Sequence, residues 1–399
     1  MKHTLTGAAA LMLTAAPVLA GGIERAPQSL NILFEPGNYV EFSGGRVTPD
    51  VSGRDLALRG PGGVVVYPGG RSTGDVADDY SFVGMGFKYQ INDQLSAAFI
   101  IEQPFGADIR YPNLNPASAT QGSLNLGGTY ATVDSTTYTA LLRYKFDDRF
   151  GIHGGLRGSR ASGDVGLRGA AYGPVNGYDV DLDSAWGTGY VLGASWEKPE
   201  IAARVSLTYN SPIEHDFDTT ESGPAIDPDG PGPLPALPLL NGNSETTVKT
   251  PRSWTLEGQT GVAPGTLVFG SIRWVKWSEF KVDPDRLTAV TGEGLVDLDD
   301  TTTYVIGVGR KFTDNWSGAL SFTYEKAGNK LVSPLSPTTG RKGISLAAIY
   351  TQDKWKITTG VSYFKLGDAT PETGTPDVAR ASMTDADALG VGIKVGYSF

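Results

Sequence analysis

The chain offers little material for reaction chemistry. Cysteine is absent, and of three histidines only His153 and His215 lie beyond the N-terminal segment. A nucleophilic triad or a histidine metal centre needs more than that. The remaining chemistry is cationic. Arg143, Arg157, Arg204 and Lys394 each fall on the small or polar side of an alternating stretch. A guanidinium or ammonium placed among apolar neighbours holds a carboxylate or similar anionic head. Its apolar counterpart is Ile32-Leu33-Phe34, in a short segment ahead of the first alternating stretch, suited to lining or filling an apolar pocket. The acidic stretches "DPDG" (227–230) and "DLDD" (297–300) read as solvated charge, and no cofactor or metal is expected. A net charge of -10 argues against nucleic acid, whose phosphates require a basic surface.

Strands must position these side chains. Period-2 alternation recurs from residue 37 to the end, while stretches of helical period are nearly missing. Between 138 and 146, Tyr138, Ala140, Leu142, Tyr144 and Phe146 share one face, and Thr139, Arg143 and Lys145 the other. The last stretch sets Leu389, Val391, Ile393, Val395, Tyr397 and Phe399 against Gly390, Gly392, Lys394, Gly396 and Ser398. The alternation predicts about fourteen strands. They fall at 37–48, 80–91, 95–110, 129–146, 150–170, 178–197, 200–218, 244–260, 266–282, 299–312, 315–328, 341–351, 354–366 and 384–399. Tight polar turns such as "NDQ" (92–94), "DDR" (147–149) and "TDN" (313–315) alternate with long links such as 49–79, 219–243 and 283–298. Short turns on one side and long loops on the other mark an outer-membrane barrel, as does an even strand number. Aromatic residues at strand ends, among them Trp316 and Tyr324, suit the lipid–water boundary.

The N-terminus agrees. Lys2 and His3 precede an apolar run from Leu5 to Ala16, followed by Val18-Leu19-Ala20, the pattern of a cleaved secretory signal. The predicted organisation is a signal peptide at 1–20, a short plug segment at 21–36 and an all-β, transmembrane antiparallel barrel over 37–399, located in the bacterial outer membrane. A secreted β-sandwich is the alternative for the same alternation, but it has no reason to sort its loops by length.

The stretch "VADDYSFVGMGFKYQINDQLSAAFIIEQPFGADIRYP" (76–112) resembles the FadL/TodX outer-membrane transporters of long-chain fatty acids and other hydrophobic compounds. Its third strand is interrupted at Pro104-Phe105-Gly106 and followed by Tyr111-Pro112, and the hairpin "KFTDNWSGALSFTYE" (311–325) extends the likeness. The resemblance implies a monomeric fourteen-stranded barrel with an N-terminal plug in the lumen. Ligand is expected to enter an external groove, reach an inner pocket and leave sideways beside a kink in the third strand, here Pro104, Phe105 and Gly106. Proline cannot donate to a ladder and glycine weakens a strand, so pairing should fail there on physical grounds also.

The resemblance also assigns Arg160, in "GSRASG", to ligand contact by position, although its parity points outward unless Gly158 marks a bulge. It implies that Leu234, Leu237, Leu239 and Leu240, in the proline-stiffened "GPAIDPDGPGPLPALPLLNG" (223–242), form part of a capture groove; packing as a lid under neighbouring loops is the other reading. Phe399 resembles the terminal aromatic read by the outer-membrane insertion machinery. Two departures stand out: the plug is short, with Glu35-Pro36-Gly37 where the family carries an Asn-Pro-Ala motif, and the link at 171–177 is brief. The expected function is passive, non-enzymatic uptake of long-chain fatty acids, with aromatic hydrocarbons or a general porin for polar solutes as alternatives.

Overall fold

A computed structural model describes residues 23–25, 28–227 and 235–399. The expected signal segment and Leu234 lie outside them. Fourteen antiparallel strands form one closed sheet: β1 (Tyr39–Asp50), β2 (Tyr80–Gln90), β3 (in two pieces, Leu95–Glu102 and Gly106–Arg110), β4 (Tyr130–Lys145), β5 (Phe150–Leu167), β6 (Tyr178–Lys198), β7 (Ala203–Asn210 and Ile213–Ser222), β8 (Gly242–Thr250 and Ser253–Ala263), β9 (Thr266–Val275), β10 (Thr301–Lys311), β11 (Trp316–Glu325), β12 (Arg341–Gln352), β13 (Trp355–Leu366) and β14 (Asp387–Ser398). Closure is made by β1, which pairs with β14 from Tyr39↔Ser398 to Asp50↔Asp387 and with β2 on its other edge. Every strand thus has a neighbour on both sides, which is the condition for a sheet to stand in lipid.

The sheet is oily outside and polar inside. Val83, Leu156 and Ile306 are each more than 60 % exposed on the outer wall, whereas Lys394, Thr139 and Thr358 are buried on the inner one. Aromatic pairs girdle the wall, with Trp316 against Tyr350 at 4.9 Å and Trp355 against Tyr397 at 4.7 Å between ring centres. Phe399 stacks on Phe87 at 6.0 Å.

The connections sort by side. Short turns at 91–94, 146–149, 199–202, 264–265, 312–315 and 353–354 alternate with long loops at 51–79, 111–129, 168–177, 223–241, 276–300, 326–340 and 367–386. The turns are fixed by their polar residues. Asn92 accepts the N–H groups of Gln94 and Leu95 at 2.9 and 2.8 Å, and Asp147 those of Arg149 and Phe150 at 2.7 and 2.6 Å. This is a side-chain imitation of a backbone turn.

The strand expected over 266–282 ends at Val275, because Trp277 turns inward and is buried. The segments expected as continuous over 200–218 and 244–260 each break, at Ser211-Pro212 and Pro251-Arg252, where proline removes a ladder donor. One helix, α1 (Asp285–Thr291), is too short to show a period in sequence. Its first N–H groups, on Arg286 and Leu287, donate to the buried Glu221 carboxylate at 3.0 and 2.9 Å, which offsets donors that a helix start leaves open.

Candidate functional site

The wall of the barrel is interrupted at β3. The β2–β3 ladder runs from Gln90↔Ser96 to Met85↔Ile101 and stops. Beyond it, Tyr80 to Gly84 still pair with β1, while Gly106–Arg110 pairs with β4 and touches 76–78 only where that chain passes above β2. Pro104 has no N–H to offer. Side chains take over the freed backbone groups. Gln103 Oε1 accepts the Val83 N–H at 3.0 Å, and the Ser135 hydroxyl accepts the Phe105 N–H at 3.1 Å and donates to the Phe105 carbonyl at 2.6 Å.

The N-terminal residues are seated at this gap. Glu24 bridges Phe105 in antiparallel sense, the Arg25 N–H donates to the Pro104 carbonyl at 2.8 Å, and the Gly106 N–H donates to the Ile23 carbonyl at 2.8 Å. Glu24, itself buried, pairs with the largely covered Arg273 at 2.7 Å. Arg25 lies between Asp108 and Asp134, at 3.8 and 3.6 Å, with its guanidinium 4.8 Å over the Tyr80 ring. A Cβ at Gly106 would fall 2.6 Å from Arg25 Nε, so a larger residue there would displace the Arg25 side chain.

Below the gap the lumen is filled. Residues 28–38 run across it, with a single 3-10 turn at Asn31–Phe34. Leu30, Ile32 and Leu33 pack on the inward-facing Ala98, Ile100, Leu141 and Val191. The anticipated cations are engaged here. Arg143 pairs with Glu197 and lies 4.6 Å over the Phe34 ring; Arg204 lies 4.0 Å over the same ring and donates to Asn31 Oδ1 at 2.9 Å. Glu35 accepts Lys356 at 2.6 Å, its backbone carbonyl accepts Lys88 at 2.5 Å, and Lys394 pairs with Glu41 at 2.7 Å. A charged belt thus lies around the plug, and an apolar solute meets a desolvation cost in crossing it.

Above the gap the lumen is apolar. One contiguous cluster joins Ile23 and Phe105 at the break to Trp277, Phe217, Val248 and Leu182, and onward to Leu287, Leu295, Leu298 and Leu335 of the outer loops. Phe105 meets Trp277 edge-on at 6.1 Å. The outer members of the cluster line a groove of about 1170 Å³ between the loops, large enough for a long hydrophobic ligand.

The other anticipated residues are placed as follows. Arg157 is buried in the lumen wall, 3.8 Å from Glu102 and 3.4 Å from Asn210 Oδ1, and its Nη2 has no hydrogen-bond partner; Thr139, directly opposite in the β4–β5 register, likewise has an unpartnered hydroxyl. Arg160 is exposed on the outer wall and donates to Ser184 at 2.5 Å. The irregularity in β5 lies between Ala161 and Gly163, beyond Arg160, so it leaves Arg160 outward. Leu240 is buried in the apolar cluster, while Leu237 and Leu239 remain about 40 % exposed. Sequence reasoning did not single out Glu24, Arg25, Glu102, Ser135, Arg273 or Trp277. The parity that flagged Arg143 extends to Glu102, which shares its parity with Ser96 and Ala98, but not to Arg273, which shares its face with Leu267, Phe269 and Val275; nothing local marks the N-terminal pair.

A closed barrel with an oily exterior, a filled lumen and an interrupted wall is an outer-membrane transport barrel. The family model described as "Outer membrane protein transport protein (OMPP1/FadL/TodX)" matches residues 20–399, and the chain belongs to this family of outer-membrane transporters of hydrophobic compounds. The fold is similar to a Pseudomonas aeruginosa FadL homologue (TM-score 0.71, 15% identity, 92% of each chain). It is also similar to the Pseudomonas putida toluene transporter TodX (0.61, 15%, 98% of this chain and 94% of that one) and the Ralstonia pickettii toluene transporter TbuX (0.57, 13%, 91% and 90%). No curated protein sequence matches the chain.

Proposed function

We propose that the barrel takes up long-chain fatty acids passively, capturing them in the external groove, passing them along the apolar cluster of the upper lumen and releasing them sideways through the β3 break. The supporting observation is the single apolar cluster that runs from Leu287, Leu295 and Leu335 at the groove to Phe105 and Ile23 at the break. A ligand on this path stays in contact with apolar surface and does not cross the charged belt around the plug. Arg157, whose buried Nη2 lies 3.8 Å from Glu102 but makes no hydrogen bond, is the lumen cation we assign to a carboxylate head, because a buried donor gains roughly 1–3 kcal/mol when an acceptor meets it. Flux follows the concentration gradient, with sites strong enough to capture and weak enough to release.

The test is uptake of radiolabelled fatty acid by cells that have no other route. Replacing Pro104 and Gly106 by valine, to favour continuous pairing, should abolish uptake while the heat-modifiable barrel band persists. Arg157→Gln should weaken fatty-acid uptake about tenfold and leave uptake of an uncharged hydrocarbon unchanged. Normal uptake by the Pro104/Gly106 variant would rule out the lateral route. The second reading is an aromatic hydrocarbon cargo, as TodX and TbuX are toluene transporters; the groove lining, with Asp283, Glu293, Glu372 and Asp377 among it, also favours an uncharged ligand.

A further inference from the structure

The external groove combines an apolar floor with an acidic rim. The loop between β9 and β10 contributes Asp283, Glu293, Asp297, Asp299 and Asp300 to its lining, and the loop between β13 and β14 adds Glu372 and Asp377. Only three lysines face the same space: Lys281, Lys326 and Lys330. The lining therefore holds seven carboxylates against three ammonium groups. Some of the charge is compensated locally. Lys281 pairs with Asp297 at 2.6 Å, Lys276 with Asp300 at 3.5 Å, and the Asn329 N–H donates to Asp299 at 2.7 Å. No ion pair is formed by Asp283, Glu293, Glu372 or Asp377 among the described residues within 4 Å.

One carboxyl in the groove already reports the local field. Glu372 is half-buried, its Oε2 has no hydrogen-bond partner, and burial, followed by the charges of Asp377 and Glu293, pushes its carboxyl up to about 7 against the pull of Arg380. A ligand carboxylate brought to the same place meets the same two penalties, desolvation and like charge. A hydrocarbon tail meets neither and gains the apolar floor.

We infer that the groove captures its ligand in uncharged form, admitting a hydrocarbon, an alcohol, an ester or a protonated acid and discriminating against the carboxylate anion. This rests on the transport reading above and adds the charge state of the species captured. In that scheme the groove sorts by charge at entry, and Arg157 serves an acid only after it has reached the lumen.

The experiment compares binding of dodecanol and dodecanoate to the wild-type protein in nanodiscs at pH 8, after subtracting partition into empty discs. Dodecanoate should bind at least tenfold more weakly at low salt. Because an anion is less oil-soluble in any case, the diagnostic quantity is how the ratio changes. It should shrink at least threefold in Glu293→Gln/Glu372→Gln/Asp377→Asn. It should also shrink in 1 M salt on the unaltered protein, where screening acts within about 3 Å. A ratio unmoved by both neutralisation and salt, or tighter binding of the anion, overturns the inference and leaves the lateral route standing. Failure of both ligands to bind above empty discs overturns the inference together with the transport reading.

Discussion

The contact between Glu24 and Arg273 gives the sharpest handle on how the wall break is kept shut. Glu24 is buried, Arg273 is largely covered, and the two are 2.7 Å apart; removing one partner of such a pair costs about 3 kcal/mol, since the other charge is left without compensation. The rest of the hold on the N-terminal strand is modest. Two backbone hydrogen bonds to Pro104 and Gly106 contribute about 1 kcal/mol each, and burial of Ile23 about 2 kcal/mol. Against this stands the ordering of residues 23–25, about 1.5 kcal/mol per residue. With about 1 kcal/mol more from Arg25, between Asp108 and Asp134 and over the Tyr80 ring, the seated state is favoured by about 3 to 4 kcal/mol, and Glu24→Ala brings the released state within about 1 kcal/mol of it. The absence of cysteine makes the assay clean. A single thiol introduced as Ala107→Cys is buried in the same apolar cluster, one residue beyond the Gly106 N–H that meets the Ile23 carbonyl, and its labelling rate by a membrane-impermeant reagent reads the released fraction. Adding Glu24→Ala should raise that rate at least tenfold with the folded barrel band unchanged. A rate within twofold of the parent would refute the reasoning that this ion pair holds the break closed.

Two further predictions concern the plug and the loops. Phe34 lies beneath both Arg143 and Arg204; Phe34→Ala should loosen the plug by about 3 kcal/mol and raise single-channel ion conductance in planar bilayers, and conductance equal to that of the wild type counts against a sealing role. The Glu372 carboxyl is raised from 4.5 to about 7, first by burial and then by Asp377 and Glu293. Its neutral form is therefore the better tolerated one: its contribution to stability is full below pH 4.5 and is lost as pH rises through about 7. Screening at a half-exposed site limits the effect to about 1 kcal/mol, visible as lower protection of residues 367–386 against hydrogen exchange, relative to the intrinsic rate at each pH, at pH 8 than at pH 5; Glu372→Gln should flatten that protection profile, and an unchanged profile removes the assignment.

The barrel was legible in the sequence because lipid and lumen impose opposite demands on successive residues, so a one-residue error would turn Leu389, Val391 and Ile393 inward. The break in β3 was legible for a related reason, since Pro104 and Gly106 state locally what a ladder cannot use. The occupants of the break were not. Glu24 meets Arg273 from the far end of the chain, and no period or spacing records such a contact. Parity placed Arg143, Arg157, Arg204 and Lys394 inward but was silent on their partners; Arg143 and Arg204 turned out to be engaged by the plug itself. Arg160 shows the limit of carrying a residue over by position: the bulge that would turn it inward lies at Ala161/Gly163, past it. Trp277 looked like the continuation of a strand, and only its packing against Phe105 and Phe280 reveals an inward turn.

The most direct measurement staples the break. Val83 and Gln103 face each other across it, joined by a side-chain hydrogen bond instead of a ladder, so Val83→Cys with Gln103→Cys allows a reversible disulfide in a chain that has no other thiol. The oxidised protein should still bind ligand in its groove yet deliver none, and reduction should restore delivery. Undiminished delivery by the fully oxidised barrel would contradict a sideways exit.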